Sequence, residues 1–237
     1  MHRNILPSAH NPETMSYFTP DFHAFFIELA GNNHKDWFHA NKKRYENDVK
    51  KPFEHFIQDV LNAMAAEGEH IEIKAKDAIF RINRDIRFSK DKNPYKLQRS
   101  AICSRYGRKD KSYPGGIYVD FGPEKCWIGG GAYFLDKDQL YDMRDHMSKH
   151  PKVFAEAIND PAFTKVFGSL HGDKNKVLPK EFKSAAEILP EIYNKQFYYM
   201  NEHEPDLLFR GDLLELTLKH WRAARKLEKF LVEAIVK

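Results

Sequence analysis

The spacing of apolar residues along the chain changes twice, and the first part has the spacing of helices. Between residues 22 and 29, three phenylalanines and a leucine fall on one helical face. A second helical pattern covers residues 33–68, where Pro52 predicts a kink or two successive helices. We therefore predict at least two N-terminal helices whose apolar faces pack into a core.

Over residues 70–135 the apolar period falls to two, which is typical of strands. No helical pattern separates these segments, so we expect neighbouring strands to pair antiparallel. The predicted strands are HIEIKA (70–75), AIFRI (78–82), LQRSAICSRY (97–106), GGIYVDFG (115–122) and KCWIGGGAYFL (125–135), with FYYM (197–200) as a further candidate.

Helical spacing returns after residue 135. Asp136 and Gln139 form a capping-box pattern at the start of a helix that Pro151 ends. Shorter helices are predicted over 153–170 and 184–195, and a closing helix over 212–236. The whole pattern predicts an α+β fold with one antiparallel sheet of about five or six strands, packed with N-terminal and C-terminal helices.

The composition is that of a folded, globular protein. Of 237 residues, 42% are hydrophobic, which is enough to build a core and excludes a wholly disordered chain. Two cysteines suit a reducing compartment, and neither a membrane span nor a signal peptide is evident, so we expect a cytoplasmic protein with no membrane partner. Residues 1–16 are expected to be a flexible tail, and residues 17–237 a single domain.

Charge is concentrated in one part of the chain. The net charge is +4, but residues 74–111 contain thirteen Lys or Arg and four Asp or Glu, a local net of +9 against −5 elsewhere. A basic block on a mildly acidic body indicates an anionic partner.

The centre of this block is FRINRDIRFSKDKNPYK, residues 80–96. Arginine presents a planar fork of donors to phosphate or carboxylate, and lysine adds a mobile positive charge. An alternative is a solvated loop held by Arg–Asp pairs. The candidate anion ligands are Arg81, Arg84, Arg87, Ser89, Lys90, Lys92 and Lys96, and the candidate catalytic groups are Asp85, Asp91 and Tyr95.

Three glycines, Gly129, Gly130 and Gly131, interrupt a predicted strand. Either a ligand approaches the bare backbone there, which adds them to the anion-binding candidates, or the glycines permit a bulge or tight packing. No Lys-Ser or Lys-Thr follows, which excludes a phosphate-binding P-loop. Because both segments break the strand pattern within one small sheet, we expect residues 80–96 and 129–133 to be neighbours in space.

A metal site is not predicted. Asp142, His146 and His150 are four residues apart on one helix face, but the glutamate of a zinc-protease motif is missing and no third partner is evident.

The segment FRINRDIRFSKDKNPYK resembles the signature of a bacterial family known as domain of unknown function 2461. FTPDFHAFFIELAGNNHKDWFHANKKRY, GGIYVDFGPEKCWIGGGAYFLDKDQL, LPKEF and Lys195 also resemble that family, while KEFKS departs from its usual phrase. The resemblance runs from about Phe18 to the C-terminus. It implies an α+β fold and brings no activity.

Three functions fit the sequence. The first is an enzyme or binding protein for a phosphorylated or other anionic small molecule, with arginines holding the anion, an aspartate moving a proton or binding a metal, and Tyr95 orienting the substrate. The second is nucleic-acid binding by the basic segment 74–111 and its interleaved aromatic residues. The third is a non-catalytic scaffold. The sequence specifies no cofactor, and whether the protein is an enzyme stays open.

Overall fold

The N-terminal helices build one wall of the core. A computed structural model describes residues 16–236, so the expected tail, residues 1–16, lies outside the described part except for Ser16. Pro52 lies in the first turn of a helix that continues directly from a π-helical turn, so the chain passes from one helical segment to the next at this residue. The elements are α1 (Asp21–Gly31), α2 (Lys35–Ala40), α3 (Lys42–Arg44), the π-helical turn (Tyr45–Lys50) and α4 (Lys51–Ala66).

One antiparallel sheet follows, in the order β1-β2-β3-β4. This confirms the prediction of an α+β fold with a single antiparallel sheet. Within residues 16–236 the sheet has four strands rather than the predicted five or six. They are β1 (Arg99–Cys103), β2 (Ile117–Phe121), β3 (Cys126–Ala132) and β4 (Phe197–His203).

The two predicted strands before β1 are not strands. Residues 70–74 are irregular, and α5 (Ala75–Ala78) closes a helical turn whose third residue, Asp77, accepts a hydrogen bond from the Lys74 N–H. Beyond α5 the chain meets β1 at a single bridge, between Ile79 and Ala101. The alternating apolar residues of this segment therefore pair with the sheet edge at one position. The helical turn of α5 directly before that position prevents a longer ladder.

The C-terminal half is helical apart from β4. The capping box of Asp136 and Gln139 at the start of α6 is confirmed, with Asp136 accepting from the Gln139 N–H at 2.8 Å. The helix predicted over 184–195 is a short helix followed by a 3₁₀ turn, Pro190–Tyr193. The helices are α6 (Lys137–Lys149), α7 (Pro151–Ile158), α8 (Pro161–Phe167), α9 (Lys183–Ala186) and α10 (Leu213–Ile235).

The helices pack against one face of the sheet in two apolar clusters. The first joins α1 and α4 to β1 and β2, and the second joins α6, α7, α8 and α10 to β4. Helix α10 belongs to both, with Trp221 in the first and Leu227 in the second. No helix within residues 16–236 is long and apolar enough to cross a membrane.

Candidate functional site

The opposite face of the sheet is open and carries two adjoining cavities. The residues of strand β2 alternate between the two faces of the sheet. Ile117, Val119 and Phe121 are buried in the core, whereas Tyr118 and Asp120 lie on the open face. We call the first cavity, of about 400 Å³, the aromatic pocket. The second, of about 630 Å³, lies beside it and is called the polar groove. Lys96 lines both.

The aromatic pocket is lined mainly by aromatic side chains, which come from several segments of the chain. Its only charged lining side chains among the described residues are Lys96 and Lys111. Within residues 16–236 no carboxylate lines it, so the charge of its lining is positive. The six aromatic residues are Phe80, Tyr113, Tyr118, Tyr133, Phe134 and Tyr198.

The two lysines converge on one ring. Lys96 Nζ lies 5.4 Å from the centre of the Phe80 ring and Lys111 Nζ lies 5.3 Å from it. Lys111 Nζ is also 5.7 Å from the centre of Phe134. Burial lowers the pKa of Lys96, with positive neighbours such as Arg99 and Lys111 adding to the effect and Asp120 opposing it.

The glycine run is explained by close packing of β3 on β4. A Cβ at Gly129 would lie 2.2 Å from the Tyr199 carbonyl oxygen, and one at Gly131 would lie 2.3 Å from that of Phe197. Gly131 also has a φ of +103°, in the region that favours glycine. Of the two interpretations from sequence, tight packing therefore has direct support, although Gly130 and Gly131 line the pocket as well.

A buried glutamate supports the pocket from behind. Glu228 of α10 is only 3% exposed, and its Oε1 accepts from the Gly116 N–H at 2.9 Å and from the Tyr199 hydroxyl at 3.4 Å. Gly116 lines the pocket immediately before β2. Burial raises the pKa of Glu228 to about 8, with Arg225 opposing and Glu69 adding to the rise. The carboxyl thus anchors the backbone that leads from Lys111 into the sheet.

The polar groove holds a half-buried acid, Asp120. The Tyr118 hydroxyl donates to Asp120 Oδ2 at 2.8 Å. Burial raises the pKa of Asp120, while this hydrogen bond and the positive charge of Lys96 act against the rise. Burial and the negative charge of Asp120 also raise the pKa of Tyr118. Asp120 and Lys96 therefore influence each other's protonation across the wall between the two cavities.

Comparison with known proteins gives a family and no function. A family model described as Conserved hypothetical protein (DUF2461) matches residues 21–230. The chain belongs to this family. The match spans all four strands and every residue that lines the aromatic pocket. Neither the curated proteins nor the solved structures contain a match to the chain.

The two ends of the basic motif reach the aromatic pocket of this DUF2461 member. Phe80 and Lys96 line it together with Gly130, Gly131 and Tyr133, so the expected proximity of the motif and the glycine run is confirmed for these residues. The hairpin-like segment between the two ends, held by the bridge between Asn83 and Tyr95, does not line this pocket. From this segment, Arg84, Asp91, Asn93 and Tyr95 line the polar groove instead.

The arginines of that segment are paired with its own aspartates. Arg84 is bound to Asp91 and donates to the Asn93 carbonyl oxygen at 3.1 Å. Arg87 donates to Asp85 at 2.7 Å, and these hydrogen bonds lower the pKa of Asp85 to about 2. Both arginines thus have the local partners that the solvated-loop alternative requires.

The remaining motif candidates are spread over the loop. Arg81, Lys90 and Lys92 are exposed and Ser89 is half-buried. Tyr95 is buried and stacks on Phe38 with ring centres 4.1 Å apart. None of these five lines the aromatic pocket, and Tyr95 lines the groove instead.

Sequence reasoning did not select Lys111, Tyr118 or Asp120 as site residues. Lys111 is one of thirteen Lys and Arg residues in the basic block 74–111, and nothing in its local sequence distinguishes it from the others. Tyr118 and Asp120 had a usable signal, since they occupy the alternate positions of an otherwise apolar strand. Within residues 16–236 no group of three ligating side chains is placed to hold a metal ion, and His146 of the candidate trio packs on Phe230 at 4.6 Å.

Proposed function

We propose that this protein binds an anionic small molecule with an aromatic or otherwise apolar body in the aromatic pocket. The observation that carries the proposal is that Lys96 and Lys111 lie against one ring of an aromatic cavity to which the described part of the chain contributes no carboxylate. Its volume of about 400 Å³ falls in the range of pockets for small ligands.

Charge explains why the ligand is an anion. Two ammonium groups against one ring repel each other, and one of them is half-buried. A carboxylate or phosphate would relieve that repulsion and form charge-assisted hydrogen bonds with both. The surrounding rings would cover an apolar body, which removes its surface from water.

The basic loop supports the proposal less strongly than the pocket does. Arg84 and Arg87 already have carboxylate partners, so an anion would have to compete with Asp91 and Asp85. Among the cationic candidates of the motif, Lys96 lines the aromatic pocket, whereas Arg84 lines the polar groove together with its partner Asp91. A phosphorylated ligand therefore fits best with its charged group at Lys96 and Lys111.

Calorimetric titration with 4-phenylbutanoate and its neutral amide tests the proposal. The carboxylate should bind, and Lys111→Met should weaken it by about tenfold or more, equivalent to ~1.4 kcal/mol. Lys229→Met is the matched control, because Lys229 is an exposed lysine of α10 far along the chain from the pocket-lining residues. Equal affinity for acid and amide, or no change in Lys111→Met, would contradict the proposal.

Nucleic-acid binding has one observation in its favour. Phe88 is 94% exposed at the tip of the basic loop, and the Arg87 guanidinium lies 5.8 Å from the centre of its ring. An exposed ring beside cations can stack on an unpaired base. Fluorescence anisotropy with a labelled single-stranded oligonucleotide tests this: salt-sensitive binding that Phe88→Ala weakens would support it, and no binding at low salt would exclude it.

A further inference from the structure

We infer that the Lys96 amine is a nucleophile that forms a Schiff base with the carbonyl carbon of a keto acid bound in the aromatic pocket. The inference rests on the proposed function, because the carboxylate of the same ligand must first be held there. It assigns different roles to the two lysines: Lys111 binds the carboxylate and Lys96 reacts.

The position of Lys96 suits this role. Its side chain is half-buried in the wall between the pocket and the groove. Lys111 lies against the same Phe80 ring and its charge acts on Lys96, so in this proposal one ligand carries its carboxylate to Lys111 and its carbonyl group to Lys96.

The surroundings of Lys96 favour a reactive amine. Only the neutral amine attacks a carbonyl, and lysines become neutral near physiological pH when they are desolvated or placed beside other cations. Both conditions hold, since burial and the positive charges of Arg99, Arg81 and Lys111 lower the pKa of Lys96, while the negative charge of Asp120 opposes this shift.

The proposal assigns the proton that the reaction moves to Asp120, which lines the polar groove together with Lys96 and whose negative charge acts on the Lys96 amine. Its carboxylate accepts a proton from the Lys96 ammonium, and the free amine then attacks the carbonyl carbon. The nitrogen passes one proton to the new alkoxide, which gives a carbinolamine. Asp120 returns its proton to the carbinolamine hydroxyl, water leaves, and the nitrogen lone pair completes the C=N⁺ bond. One water is released, and Asp120 ends as a carboxylate, as it began.

The other side chains around Asp120 are consistent with this proton transfer. Burial raises the pKa of Asp120, so that it can hold a proton for part of the cycle. The Tyr118 hydroxyl bonds to its Oδ2 and orients the carboxyl group.

Borohydride trapping on the full chain tests the inference, with 4-phenyl-2-oxobutanoate as the probe. Reduction of the Schiff base should add the mass of the keto acid less one oxygen atom, and peptide mapping should place the addition on Lys96. Lys96→Arg keeps the positive charge and should abolish trapping. Lys229→Arg should leave it unchanged, which controls for exposed lysines. Lys111→Met should slow trapping about tenfold, the ratio expected for its carboxylate contact.

Binding of 4-phenylbutanoate, which lacks the keto group, separates this inference from the proposed function. If 4-phenylbutanoate binds and competes with trapping at Lys96, the proposed function and the Schiff-base inference are both supported. If it binds but the keto acid gives no adduct at Lys96, the Schiff-base inference is overturned and the proposed function survives. If neither compound binds, both are overturned. An adduct spread over surface lysines and unchanged in Lys96→Arg also overturns the inference.

Discussion

At the scale of single residues, Glu228 makes stability depend on pH. Its pKa is raised to about 8 by burial, so between the ordinary glutamate range and about pH 8 the folded state holds the proton more tightly than the unfolded state. The contribution of this proton to stability is complete below the ordinary pKa and is lost as the pH rises through about 8.

Glu228→Gln keeps an oxygen acceptor for the Gly116 N–H but cannot ionise. Relative to the parent, the variant should gain free energy of unfolding as the pH rises from about 5 to about 9, by up to about 4 kcal/mol, since each unit of pKa shift is worth ~1.4 kcal/mol. Urea denaturation at several pH values measures this. Glu233→Gln, half-exposed on the same helix, should show no such trend. A pH-independent difference for Glu228→Gln would show that the carboxyl is charged throughout.

At the scale of elements, the pairing of β3 with β4 depends on glycine. Gly131→Ala should destabilise the protein by roughly 2–4 kcal/mol, because a Cβ would clash with the Phe197 carbonyl oxygen and a positive φ strains any other residue. Gly31→Ala is the control: nothing lies within 4 Å of its added Cβ at the end of α1, so stability should stay equal or rise by up to about 1 kcal/mol. Similar thermal midpoints for both variants would disprove the packing explanation.

At the scale of the whole molecule, α10 joins the two apolar clusters. Leu231 lies fully buried in the second cluster, whereas Trp221 of the same helix lies in the first. Leu231→Ala should cost about 2–5 kcal/mol, and because one helix serves both clusters they should unfold together. The midpoints from tryptophan fluorescence and from far-UV circular dichroism should therefore fall by the same amount. Separate transitions would argue against the single domain over residues 17–237, which stays a prediction until that measurement.

The elements that local sequence specifies were largely predictable. Helix α6 was found from its capping box, and α10 corresponds to the closing helix predicted over 212–236, although Asp212 makes no side-chain capping hydrogen bond. Strands β1 to β3 were found from their alternation, because the period of side-chain burial follows directly from strand geometry. The same signal overpredicted strands before β1, since alternation records which side chains are buried and carries no information about the pairing partner.

The pocket belongs to what only the tertiary structure decided. The sequence by itself determined the family motif, the basic block and the alternation of β2 that sets Tyr118 and Asp120 apart from the core. It did not determine that Arg84 and Arg87 would be bound by their own aspartates while Lys96 and a distant Lys111 met at one ring. Charge can be counted along a chain, but whether a charge is paired or faces a cavity depends on residues that only folding brings together.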